Sequence, residues 1–267
     1  MDLQLKDKVV LVAGASRGLG YNTARIAAQE GAIVSMGSRG REDIEGAARE
    51  ISREISEETG SRVSGFQLDM KDADSIRRWI KDTADLYGTI DAVLVNAGGP
   101  PAGIFADFDD NQWEDAYRLT LLSAVRLIRE TAEVMKRGGG GSILTLTSIS
   151  VKEPIPSLIL SNVMRSGVAA LVKTVSREFA PFGIRVNNII PGYFNTDRLR
   201  KLDESAAVKE GTTVEKISSQ RQANVPLRRY GEPEEFGRAA VFLLSPAASY
   251  VTGHSFVIDG GLLHSLT

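Results

Sequence analysis

The chain has 267 residues, 42% of them hydrophobic and 25% charged, with a formal net charge of −2. That composition suits an ordinary globular protein with room for a core that needs no metal or disulfide staple, and the near-zero charge gives no reason to expect nucleic acid or an anionic membrane as partner. With no cysteine and only two histidines, His254 and His264, it excludes disulfides, thiolate metal sites and His-rich metal clusters. The opening MDLQLKDKVV lacks the basic and long apolar regions of a signal peptide, and no apolar run approaches the roughly 18 residues that span a bilayer. The cytoplasm is the expected location.

Short apolar segments alternate with longer amphipathic ones along the chain. Val9–Ala13 reads as a buried strand and Gly18–Glu30 as the helix after it. A strand at Ala32–Met36 follows, then a helix at Arg41–Thr59 with Ile44, Ala48, Ile51 and Ile55 on one face and charges on a solvated one. Strands are expected at Arg62–Leu68, Ala92–Val95 and Ser142–Thr147, separated by helices near Asp72–Tyr87 and Asn111–Arg137. A helix at Leu158–Ala180, a strand at Arg185–Ile190, a helix near Pro233–Leu244 and a strand at Ser255–Ile258 complete the pattern. This alternation predicts an α/β fold: a Rossmann-type doubly wound sheet, mostly or wholly parallel, in a single domain over residues 1–267. Asp197–Val225 is polar, long and weakly periodic, and reads equally as a lid over a substrate or as a surface excursion.

The first strand runs into Gly14-Ala-Ser-Arg-Gly18-Leu-Gly20 and then a helix. Glycines there let the backbone turn sharply and approach a pyrophosphate, which the helix N-terminus attracts with its free N–H groups and positive dipole end. Gly14, Ser16, Arg17, Gly18, Leu19 and Gly20 are therefore candidate cofactor residues. An acid at the end of the second strand would select NAD through the ribose 2′-hydroxyl, but no Asp or Glu lies between Gly31 and Gly40. Ser38 and Arg39 stand there instead, with Arg17 inside the turn. Guanidinium groups grip a 2′-phosphate that a carboxylate would repel, so the expected cofactor is NADP(H). Two ordinary surface arginines are the competing reading.

The G-x-x-x-G-x-G spacing resembles that of the short-chain dehydrogenase/reductase family, and further segments do so in the same order. These are Asn96-Ala97-Gly98 after the fourth strand, Pro191-Gly192 with Thr196, Gly231-Glu-Pro-Glu-Glu235, Tyr250-Val-Thr-Gly253 and Asp259-Gly-Gly261. The resemblance implies cofactor contacts from Asn96, Ala97 and Gly98, and from Pro191, Gly192 and Thr196 closing over the nicotinamide. It also implies an adenine contact from Asp69 and Met70, although Asp69 reads equally well as a cap of the next helix.

Family enzymes transfer a hydride between a carbonyl and an alcohol, using a tyrosine acid/base, a lysine four residues on, a serine and an asparagine. Carried over, the serine is Ser148, but the tyrosine position is Ser161, the lysine position Arg165 and the asparagine position Thr120. No tyrosine lies between Tyr117 and Tyr193, so no shift of register restores the motif. In this the chain resembles a β-ketoacyl-acyl carrier protein reductase-like subgroup that carries S-x-x-x-R. A serine hydroxyl is a poor proton donor and arginine stays charged, yet Arg165 can hold ribose hydroxyls and stabilise an oxyanion. Ser161 and Arg165, at i,i+4, share a helix face.

Tyr193 and Lys152 are the substitute acids to weigh, each against a plain packing or surface role. Two functions compete: an NADP(H)-dependent oxidoreductase of a small carbonyl or alcohol substrate, and a catalytically silent cofactor-binding sensor or partner-binding protein. Non-redox chemistry in the same pocket is a weaker third. The resemblance also implies a homo-oligomer, a tetramer or dimer, on the two long helices. Val168, Leu171, Val172 and Val175 supply either its face or core.

Overall fold

Five consecutive apolar residues, Val9–Ala13, are all buried and form the first strand, β1. An uninterrupted apolar run of this kind belongs to a parallel sheet covered on both faces. The computed structural model describes residues 1–265, the side chains at 56–59 excepted. After β1 the order is α1 (Gly18–Gln29), β2 (Ile33–Ser38), α2 (Arg41–Thr59), β3 (Val63–Gln67), α3 (Ala73–Tyr87) and β4 (Ala92–Val95). It continues through α4 (Asp110–Ala116), α5 (Ser123–Arg137), β5 (Gly141–Leu146), α6 (Ile159–Phe179), β6 (Ile184–Pro191), α7 (Asp197–Glu210), α8 (Val214–Asn224), α9 (Pro233–Leu244) and β7 (Ser255–Ile258).

The seven strands form one sheet in the order β3-β2-β1-β4-β5-β6-β7. Every pairing is parallel, as the alternation predicts. The chain reverses direction across the sheet between β1 and β4, registered Val10 to Ala92 and Val12 to Leu94. At such a switch point the loops after neighbouring strands diverge and leave a crevice at their carboxyl ends. One core, with Val10, Met36, Ile51 and Phe236, fills one face. The other, with Leu11, Trp79, Leu127 and Val186, fills the opposite face.

Val168, Val172 and Val175 are buried in this second core and Leu171 packs against it. The three valines thus belong to the core of the protomer, whereas Leu171 is only half-buried.

Three local features differ from the sequence expectation. The helix expected over Asn111–Arg137 is interrupted by a π-helical turn, Tyr117–Leu122, between α4 and α5. Such a turn accommodates one extra residue without proline or glycine, so periodicity reads through it. The turn buries Thr120. Asp69 does not cap α3. Asp72 does, its carboxylate accepting from the Asp74 N–H, while Asp69 Oδ1 accepts from the Lys71 N–H at 2.9 Å. The polar segment Asp197–Val225 holds two helices, α7 and α8, capped by Thr196 and Thr213. They bury few residues, among them Leu199, Ala207 and Ile217, which is why helical periodicity was weak. Buried Asp203 ties them together, pairing with Arg221 and accepting from the Tyr230 hydroxyl at 3.0 Å.

Beneath the carboxyl end of the sheet lies a buried polar knot. Asn188 Oδ1 accepts from the Thr145 and Thr147 hydroxyls at 3.0 and 2.9 Å, and its Nδ2 donates to Ser255 Oγ at 3.2 Å. It joins β5, β6 and β7 just below Ser148. Asn188→Ala would take the acceptor from the buried Thr147 hydroxyl and leave that of Thr145 only a long bond of 3.5 Å to the Asn187 carbonyl, so we expect a loss of about 1–3 kcal/mol in urea unfolding. An unchanged unfolding midpoint would contradict this role.

Candidate functional site

The glycine turn is built as a phosphate cradle. Gly14 has φ +63°, and a Cβ there would sit 2.7 Å from Asn96 Nδ2. A Cβ on Gly20 would sit 2.3 Å from the Gly14 carbonyl oxygen. Neither place admits another residue, which is the close packing of helix on strand that the spacing implies. Asn96, at the end of β4, donates from Nδ2 to the Ala13 and Gly14 carbonyls at 3.2 and 3.4 Å. It acts on the turn and holds it in shape across the switch point. Leu19 packs against the core, so only its backbone faces the crevice end of α1. No side chain caps α1 and no acid lies in its first turn. Its N–H groups and dipole are left for an anion.

The nearby side chains fit a 2′-phosphate. Ser38 Oγ, at the end of β2, is buried without a hydrogen-bond partner. Arg39 beside it is exposed and makes no ion pair among the described residues. Arg17 is exposed and reaches Asp197 of α7 at 3.9 Å, a pair too long and open to contribute much. Asp69 is exposed and Met70 buried. Ser16 is half-buried, as are Ala97 and Gly192, with Gly98 exposed and Pro191 buried at the end of β6. Thr196 is engaged locally: its hydroxyl accepts from the Leu199 N–H and donates to the Phe194 carbonyl, each at 3.3 Å.

Ser148 follows β5 in extended conformation, its Oγ accepting from the Ser150 N–H at 3.2 Å. Arg165 projects from α6 toward the same strand end and donates from Nη1 to the Leu146 carbonyl at 2.8 Å. That is its only hydrogen bond among the described residues, although the residue is just 8% exposed. Burial, and secondarily the charge of Arg198, pulls its pKa down to about 10. The guanidinium therefore stays charged at neutral pH. Ser161, one turn earlier, is 6% exposed, and Thr120 is 5% exposed with its hydroxyl buried and unpartnered. Thr120, Ser123, Ala97, Leu146 and Arg165 line one small internal cavity. The structure thus brings Thr120 and Arg165 to one cavity, with Ser148 two residues beyond the acceptor of Arg165 and Ser161 buried one turn earlier on α6.

Of the substitute acids, Tyr193 has aromatic and cationic neighbours and Lys152 has no carboxylate partner among the described residues. The Tyr193 ring packs against Tyr230 and under the Arg221 guanidinium, 5.6 Å from its centroid. Lys152 makes no ion pair among the described residues. His254 stacks edge-on to Phe256, and the backbone of His264 donates to Glu153.

Sequence reasoning missed Arg198. It reaches from α7 to the loop after β4 and donates to the Gly99 and Pro100 carbonyls at 3.3 and 3.0 Å. In the run Asp197-Arg-Leu-Arg-Lys201 it reads as one of several solvated charges.

If Ser38, Arg17 and Arg39 hold a 2′-phosphate, Arg39→Ala should weaken NADPH binding about ten- to a hundredfold, the range of one charge-assisted contact. NADH binding should be unchanged, as read by nucleotide fluorescence titration. Equal loss for both nucleotides, or none, would contradict the assignment.

Comparisons with known proteins agree with this geometry. A family described as enoyl-(acyl carrier protein) reductase matches residues 14–263. A putative ketoacyl reductase of the monensin polyketide synthase, from Streptomyces virginiae, is 31% identical, over 97% of this chain and 98% of its own. L-sorbose reductase from Gluconobacter frateurii, solved with NADPH and L-sorbose, superposes with a TM-score of 0.93 at 28% identity over all of both chains. An NADPH-bound short chain oxidoreductase from Pseudomonas aeruginosa, containing an atypical catalytic center, superposes with a TM-score of 0.87 at 27% identity, over 97% of this chain and 99% of its own. With a fitting cradle, an all-parallel sheet and matches over almost its whole length, the chain belongs to the short-chain dehydrogenase/reductase family of oxidoreductases.

Proposed function

We propose that this protein is an NADP(H)-dependent reductase of carbonyl substrates, working through a charged arginine in place of a tyrosine acid. The observation that supports it most is the buried Arg165 guanidinium, paired with one backbone carbonyl at the strand end that carries Ser148. NADPH-bound relatives, among them a ketose reductase and one with an atypical centre, point the same way.

In this reading α1, Arg17, Ser38 and Arg39 hold the phosphates, and Thr196, Pro191 and Gly192 close the nicotinamide end. When bound, the reduced nicotinamide supplies the hydride that the carbonyl carbon accepts. Ser148 Oγ donates a hydrogen bond to the substrate oxygen and fixes its direction. Arg165 stabilises the negative charge growing on that oxygen, a contribution that rises in a site sheltered from water. The proton that completes the alcohol comes from solvent, because the Ser161 hydroxyl is too weak an acid. Thr120 adds a hydroxyl in the cavity that the guanidinium lines. General acid catalysis is worth about 10²–10⁴ in rate, so a slow enzyme is expected.

A panel of ketones, ketoses and oxoacyl esters should therefore contain a substrate whose addition consumes NADPH. Tight NADPH binding with no consumption on any of them would overturn this function. Arg165→Met should lower kcat about 10²–10³-fold, the cost of removing one oxyanion donor, with less effect on KM. With a pKa of about 10, Arg165 stays protonated throughout the neutral range. The kcat profile should thus be flat from about pH 6 to about pH 9, with no acid/base limb there. A bell-shaped profile centred near neutrality would show a titrating catalytic group that this mechanism lacks.

A further inference from the structure

The partly buried arginines Arg25 and Arg221 sit against carboxylates, Arg25 with Glu54 and Glu234 and Arg221 with Asp203. Arg165 and Arg198 do not. Neither makes an ion pair among the described residues, and both donate only to backbone carbonyls. The acid beside Arg198 in sequence, Asp197, is engaged with Arg200 at 2.7 Å and with Arg17 at 3.9 Å. Gly99, which receives Arg198, follows two residues after Ala97, which lines the cavity of Arg165 and Thr120. The two guanidiniums are near enough for the charge of Arg198 to disfavour protonation of Arg165.

Like charges brought together at a partly dry site oppose its closing unless an anion joins them. Arg198 still has donors uncommitted, since it spends one hydrogen on each of two carbonyls and a guanidinium has five. The buried, unpartnered Thr120 hydroxyl and the singly bonded Arg165 leave further unfilled capacity in the cavity they share. A neutral carbonyl compound would leave this excess charge unanswered.

We propose that the substrate carries a carboxylate that pairs with Arg198, while its carbonyl group faces Arg165 and Ser148. This makes Arg198, placed on the lid-like α7, a specificity-determining residue for oxo acids, and it rests on the reductase reading above. The cofactor's phosphates are the other anions within reach. They have their own donors in the uncapped α1 terminus, Arg17, Ser38 and Arg39, so Arg198 is assigned to the substrate.

Binding to the NADP⁺ complex tests this without requiring turnover. The probes are 2-oxobutanoate, acetoacetate and 3-oxohexanoate, each against its methyl ester, by calorimetric titration. At least one acid should bind about tenfold or more tighter than its ester. Arg198→Met should abolish that preference, Arg198→Lys should keep part of it, and NADPH affinity should stay within about twofold in both. No preference for any acid, or a preference that survives Arg198→Met, would overturn the proposal. A loss of NADPH affinity of about tenfold in Arg198→Met would overturn it too, giving the arginine to the cofactor's phosphates. An acid that binds through Arg198 but is never reduced supports the anion site and counts against the reductase. Reduction of neutral carbonyls without acid preference does the reverse.

Discussion

Taking a guanidinium out of water costs several kcal/mol unless something answers its charge, and among the described residues Arg165 is answered only by the Leu146 carbonyl. Three elements maintain that unfavourable placement. α6 anchors its apolar face, including Val168 and Val172, in one of the two cores. The π-helical turn presses Thr120 into the cavity beside the guanidinium. The Asn188 knot fixes the end of β5 that supplies both the Leu146 carbonyl and Ser148. An unpaired buried charge held in place by the surrounding structure marks a candidate functional group, and the proposed function assigns its partner to the substrate oxygen.

The same economy of position explains the cofactor end. The strand order reverses between β1 and β4, so the Gly14–Gly20 turn and Asn96 meet across the crevice. The uncapped α1 terminus, the orphaned Ser38 hydroxyl and Arg39, which makes no ion pair among the described residues, are the groups to which the 2′-phosphate is assigned. Both ends of the site share one logic: donors are oriented by buried backbone and left unsatisfied. In the proposed mechanism a fixed positive charge at the nicotinamide end takes the place of a titratable pair.

Much of this was legible beforehand because it depends on local pattern. The buried run of β1, the glycine spacing and the missing acid after β2 each carry their meaning within a few residues. Motif spacing likewise puts Ser161 and Arg165 one turn apart, and both are buried on α6. The π-helical turn was not legible: it adds a residue without any helix breaker, and apolar periodicity averages over it. Nor was Arg198, because a charge that reaches Gly99 and Pro100 across the fold looks in sequence like its solvated neighbours Arg200 and Lys201. The apolar row from Val168 to Val175 fits core and interface alike, and only the packing assigns it to the core. Asp69 shows the same limit, since choosing between two aspartates three residues apart as the α3 cap needs the backbone.

The central claim is that Arg165 is a fixed cation facing the reacting centre. A crystal structure with NADPH bound tests it most directly. The account predicts the Arg165 guanidinium within hydrogen-bond reach of the nicotinamide ribose, with Ser148 on the open side of the nicotinamide ring. A nicotinamide seated away from Arg165, with the guanidinium still bonded to Leu146 alone, would contradict it.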